Sequence, residues 1–149
     1  MTKESFAKAV EAHSEMSPEG EHGLTHKDIK LTYEVSGSSL LLVAHVVSPA
    51  QILLAPESDY TRQADSIGVS EESKIGSSDF DQKYVIRDAH GKAKDVLTDD
   101  VAALVEGMAP FVELELCDDM IRLLKKPSDE KAALGDVETL VKLSQALGG

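Results

Sequence analysis

A chain of 149 residues has the length of one ordinary domain, and 42% apolar with 28% charged residues is a globular balance that argues against a disordered polymer. Its 27 acidic against 15 basic residues leave a formal net charge of −12, a field that repels phosphate backbones and anionic lipid and excludes nucleic acid as the natural partner. With no Trp and an aromatic share of 4%, the core must be built from Leu, Val, Ile and Ala.

Residues 2–16 carry Phe6, Ala9, Val10, His13 and Met16 at helical spacing behind a Thr2 cap, which predicts a surface helix. The stretch SPEGEHG, with Pro18, Gly20 and Gly23, reads as a loop. Residues 28–35 alternate strictly, with Ile29, Leu31, Tyr33 and Val35 on one face, the period of a half-buried strand. A turn at Gly37 joins it to residues 40–47, an almost continuous apolar run that predicts a central strand covered on both faces. Residues 51–55 form a third strand that Pro56 stops.

Residues 56–79 are polar and read as a long connection that opens locally at low cost. Strand character returns at residues 83–87, followed by a turn at residues 88–91. Thr98, with Asp99 and Asp100 behind it, caps a helix that buries Val101, Leu104, Val105 and Met108. Residues 112–116 and 120–125 form a hairpin, and Ser128, Asp129 and Glu130 can open a last helix that Gly135 can break and Asp136 restart. The sum is a single α+β domain over residues 1–149, with a largely antiparallel sheet of about six strands and N-terminal, middle and C-terminal helices.

The segment IGSSDFDQKYVIRD concentrates Asp79, Asp81 and Asp88 beside Phe80 and Tyr84. Its Gly and Ser residues form turns, its carboxylates can bond nearby backbone N–H groups, and its aromatic rings are apolar anchors, so local structure accounts for it without a substrate. Five histidines invite a metal reading, and His22 with His26 have an i, i+4 spacing, but the glycines beside them and the absence of an HExxH motif argue against a metal site. His13 and His45 lie on apolar surfaces and read as hydrogen-bonded core or boundary residues. Cys117, the single cysteine, forms no intrachain disulfide, and the charges of Asp118 and Asp119 beside it raise its thiol pKa and disfavour a nucleophilic role. No GxSxG, P-loop or GxGxxG occurs.

The stretch ADSIGVSEESKIGSSDFDQKYVIRDAHGKAKDVLTDDVAALV resembles uncharacterised prokaryotic domains in which a Gly precedes a Phe-Asp pair, an aromatic and a β-rich strand follow, and a Leu-Thr step opens a helix. That resemblance covers residues 24–125 and implies a shared fold, with relatives that carry a membrane segment elsewhere. In architecture the order of elements also resembles the type III secretion chaperones, which bind an unfolded stretch of a partner protein as dimers. The strand at residues 83–87 and the long connection before it depart from that pattern.

The residues therefore predict a non-enzymatic, acidic protein-binding module, with no catalytic residues, no metal and no cofactor, and with self-association as a homodimer beside a closed monomer. The alternative is a small metal-dependent hydrolase or ligand-binding protein using Asp79 and Asp81 with one of His22, His26 or His90. The lone cysteine and the absence of a signal peptide point to a reducing cytoplasm. The longest apolar run is too short to cross a bilayer, so the chain as given reads as soluble, without membrane insertion and with any anchor outside it.

Overall fold

The computed structural model describes residues 1–56, 78–88 and 91–148, apart from the side chains of Ser78 and Asp81. Expectations for residues 57–77 and for the turn at residues 89–90 lie outside the described residues. Among those described, helices α1 (Lys3–Ala12), α2 (Ser78–Lys83), α3 (Ala93–Val96), α4 (Asp99–Gly107) and α5 (Glu130–Ala146) accompany eight strands. These are β1 (Met16–Glu19), β2 (Gly23–His26), β3 (Ile29–Ser36), β4 (Ser39–Ala44), β5 (Ile52–Pro56), β6 (Tyr84–Asp88), β7 (Glu113–Leu116) and β8 (Ile121–Lys125). They form one antiparallel sheet in the order β1-β2-β3-β4-β8-β7-β5-β6.

The sheet has eight strands where the sequence predicted about six. The two extra strands come from the end of the expected first helix, from SPEGEHG and from residues 24–26, for which the sequence predicted no element. The helix stops at Ala12, and Met16–Glu19 pairs with Gly23–His26. Gly20 takes φ +65° in the connecting turn, and Gly23 runs so close to its partner strand that a Cβ there would stand 2.5 Å from the Glu19 carbonyl oxygen. The residues that read as chain breakers are what the tight hairpin requires. A second two-residue turn puts Lys27 and Asp28 at φ 51° and 66°, joining β2 to β3.

Local signals hold elsewhere. Thr2, Thr98 and Asp129 each accept a backbone N–H at a helix start, and Thr2 and Ser5 complete a reciprocal capping box. Gly37, at φ 60°, turns β3 into β4 as expected. Gly135 does not break the last helix, because α5 runs unbroken over 17 residues and Asp136 is buried within it instead of capping it.

Helices α1, α4 and α5 lie on one face of the sheet. Leu31, Leu40, Leu42, Leu54, Leu114, Leu116, Ile121 and Leu123 point towards Phe6, Val105, Val137, Leu140 and Val141 in one continuous core. Fully burying side chains of this size stabilises by roughly 1.5–3 kcal/mol each, against the entropy of ordering them. Phe80 and Tyr84 are anchors as expected, with ring centroids 4.8 Å apart, and Tyr84 stacks on Phe111.

Candidate functional site

The run at residues 40–47 departs from its expectation in an informative way. Strand β4 ends at Ala44, its side chains alternate between buried and half-buried, and Val47 beyond it is 75% exposed. Among the described residues, helices cover one face of it. Leu41 and Val43 therefore stand on the opposite face, and the register carries that face across the sheet: Thr32 opposite Val43, Val43 opposite Arg122, Arg122 opposite Glu115, and in the next row Glu34, Leu41, Leu124 and Glu113.

This face is an apolar strip of Leu41, Val43 and Leu124 rimmed by charge. Glu34 and Glu113 are exposed, and Arg122 meets Glu115 at 3.7 Å. A depression of about 210 Å³ lies at its β3–β4 side, between Thr32, Glu34, Leu41, Val43 and the His22 turn. At the β6 end Val85, paired with Ala55, is buried but lies outside the main core cluster. Glu34, Glu113 and Glu115 share this side of the sheet with Arg122, with Lys30 on β3 and with Arg87 on β6, which stands across Leu53 from Glu115.

Cys117 follows β7 on this same face. Its thiol donates to Glu115 Oε1 at 2.8 Å, and burial, then the Glu115 hydrogen bond and charge, push its pKa up to about 11. The direction matches the sequence expectation. The main causes are desolvation and Glu115; of the two aspartates, Asp119 adds only a smaller upward push.

The residues of the hydrolase alternative are dispersed. Asp79 is exposed in α2, which leads into β6 at one edge of the sheet, whereas His26 is buried in β2 near the other edge. Six strand spacings separate β2 from β6, on the order of 25–30 Å. His22 sits in the β1–β2 turn and not on a helix with His26. The Asp81 side chain and His90 lie outside the described residues. Lys83 reaches Glu106 at 3.5 Å.

The other histidines are held by local bonds. His13 Nδ1 accepts the Glu15 backbone N–H at 3.1 Å, which leaves its Nε2 to donate to Glu138 at 3.0 Å. His26 Nδ1 donates to the Glu15 carbonyl at 3.0 Å. His45, expected inside a buried strand, lies exposed beyond β4 with its ring against the Thr32 hydroxyl. Among the described residues, no three His, Cys, Asp or Glu side chains converge on one point.

One buried polar group went unread in the sequence. Lys125 Nζ donates to Asp136 Oδ1 at 2.8 Å and to the Met108 carbonyl, tying β8 to α5 and to the end of α4. Asp136 Oδ2 is buried with no hydrogen-bond partner among the described residues, and burial raises the carboxyl pKa more than Lys125 lowers it. The pair lies beneath helices on the covered side and is structural.

Compared with known proteins, the chain matches no family model and no curated relative. Among the described residues no helix is long and apolar enough to cross a membrane.

Proposed function

We propose that the chain is a non-enzymatic protein-interaction module that docks a basic partner protein on the uncovered face of its sheet. The observation that carries this reading is the strip Leu41, Val43 and Leu124, aliphatic side chains left half-buried on a face that the helices do not cover. An apolar centre with a charged rim is the anatomy of a protein contact. Glu34 and Glu113 stand exposed beside the strip, and the overall charge of −12 steers a basic surface toward the chain while opposing a second copy. The architectural likeness to secretion chaperones points the same way, toward partner binding.

The test is site-specific photocrosslinking in the native cell from position 41 or 124, with position 131 on exposed α5 as control, alongside sedimentation of the purified chain. The expected result is a discrete adduct with a basic protein from both face positions, weakened by salt and absent from the control. Equal adducts from all three positions would overturn the reading. A mass of twice 16.0 kDa, with crosslinks between copies, would replace the partner with a homodimer.

A further inference from the structure

We propose that the corner between α1 and β1 is a proton-operated latch, in which proton uptake by His13 frees the Glu15 backbone N–H and leaves the ring bonded to Glu138 on α5. The latch is separate from the sheet face and does not depend on the docking reading. Two imidazoles hold the backbone of one residue. The Glu15 N–H donates to His13 Nδ1 at 3.1 Å, and the Glu15 carbonyl accepts from His26 Nδ1 at 3.0 Å. The two rings stand edge to face, with centroids 6.1 Å apart. His13 caps the end of α1, and Met16, next to Glu15, opens the edge strand β1 opposite His26, so this corner joins the helix to the outermost strand of the sheet.

The hydrogen bonds dictate the protonation that the clamp requires. A backbone N–H only donates, so His13 Nδ1 is bare and the ring proton sits on Nε2, 3.0 Å from Glu138 Oε1. A second proton can enter only at Nδ1, where it meets the Glu15 N–H donor to donor, and that bond is lost. The same proton makes the ring cationic and turns its contact with the Glu138 carboxylate into a charge-assisted pair. His26 is placed differently, because its Nδ1 already carries the proton that the Glu15 carbonyl accepts, and that bond survives protonation of His13. Loss on one side of the His13 ring and gain on the other oppose each other, so the proton moves a contact without unfolding the chain.

The surroundings give the proton access to one ring of the two. The His13 side chain is 21% exposed, whereas His26 is 2% exposed. The titratable groups set against the His13 ring are Glu138 from α5 and His26 from β2, and Glu15 itself is exposed on the corner. Histidine is the side chain that ordinarily changes charge between about pH 5 and 8, above the ordinary titration of a glutamate, so the latch works while its carboxylate partner keeps its charge.

The experiment is an NMR titration of the whole chain from about pH 7.5 to about pH 5, following the ring nitrogens of His13 and His26 together with the Glu15 amide and its exchange with solvent. The expected result is that the Glu15 amide resonance moves with the same midpoint as the His13 ring. Its protection, corrected for the intrinsic pH dependence of exchange, should fall about 10-fold, while the amides of Leu42 and Leu123 in the middle of the sheet keep theirs. His13→Asn offers an oxygen near the place of Nδ1 but takes up no proton in this range, so Glu15 protection in that variant should not depend on pH. Glu138→Gln should leave the Glu15 response in place, because the acceptor is lost at Nδ1 and not at Nε2. The proposal is overturned if His13 titrates while the Glu15 amide keeps its resonance and protection, if the central amides lose protection together with it, or if His13→Asn responds to pH as the wild type does. Should His13→Asn fail to fold, the coincidence or separation of the two wild-type midpoints decides.

Discussion

Leu123 and Leu124 are neighbours in β8 with the same side chain, and they live in different environments. Leu123 is fully buried beneath the helices, opposite Leu114 and Leu42; Leu124 lies half-buried on the other face, opposite Leu41 and Glu113. The covered face even keeps a buried ion pair, Lys125 with Asp136, while the open face keeps its own pair, Arg122 with Glu115, partly in solvent. Stability should therefore reside on one side of the sheet and recognition on the other, because area already removed from water contributes to folding and area still exposed can contribute only to binding.

The largest expected effect breaks the covered side. Asp136→Leu leaves the Lys125 ammonium buried without a countercharge and should cost roughly 3–5 kcal/mol in urea denaturation. Adding Lys125→Met should recover most of that, because two apolar side chains replace two buried charges. A double variant as unstable as the single one would mean that the loss is a packing defect.

Next comes the comparison within β8 itself. Leu123→Ala should cost about 3 kcal/mol and Leu124→Ala about 1 kcal/mol or less, since only the first opens a cavity in packed surroundings. Equal losses would show that the second face is as well packed as the first, and the docking reading would lose its basis.

That asymmetry was only half legible in the sequence. The alternation of Ile29, Leu31 and Tyr33 and the caps at Thr2 and Thr98 are short-range signals, and each appears in the structure where expected; of Ser128, Asp129 and Glu130, it is Asp129 that caps the last helix. Leu41 and Val43 misled because apolar identity on both faces of a strand reports two apolar environments and not whether a layer of helices fills each. The β1–β2 hairpin was hidden for a different reason. Pro18, Gly20 and Gly23 are breakers by propensity, but Pro18 lies in the edge strand β1 and Gly23 is needed for close approach. In IGSSDFDQKYVIRD the aromatic anchors were readable and helix α2 was not, its turn-forming Gly and Ser masking the helix behind them.

Cys117 offers a chemical reading of the open face. A thiol pKa of about 11, against an ordinary 9.0, leaves about 100-fold less thiolate at pH 8 than a free cysteine has, and alkylation by iodoacetamide should slow by a similar factor. Glu115→Gln, which removes the neighbouring negative charge, should speed the reaction about 3- to 10-fold. Unchanged kinetics would assign the whole shift to burial. A partner seated on Leu124 and Glu115 should slow the reaction further.

The smallest effects are in the pH dependence of stability, where two carboxyls should act with opposite signs. Burial raises the Asp136 pKa above its ordinary 3.8, so the folded chain holds that proton more tightly than the unfolded chain. Its contribution is then complete below 3.8 and is lost as pH rises through the folded value. Glu130 is the reverse case: the Ser5 hydroxyl donates to it and lowers its pKa below 4.5, so its contribution is present above 4.5 and lost as pH falls through the folded value. Urea midpoints measured from pH 3 to pH 7 separate the two. Against Asp136→Asn, which keeps an acceptor for Lys125 but cannot ionise, the wild type should lose relative stability as pH rises. Against Ser5→Ala, which removes the Glu130 bond, the wild type should gain relative stability over the same range, by a smaller amount because Glu130 is solvent-screened. If the Asp136→Asn difference instead grows with pH, the Lys125 attraction outweighs desolvation, and the covered-face pair stabilises the fold instead of being carried at a cost.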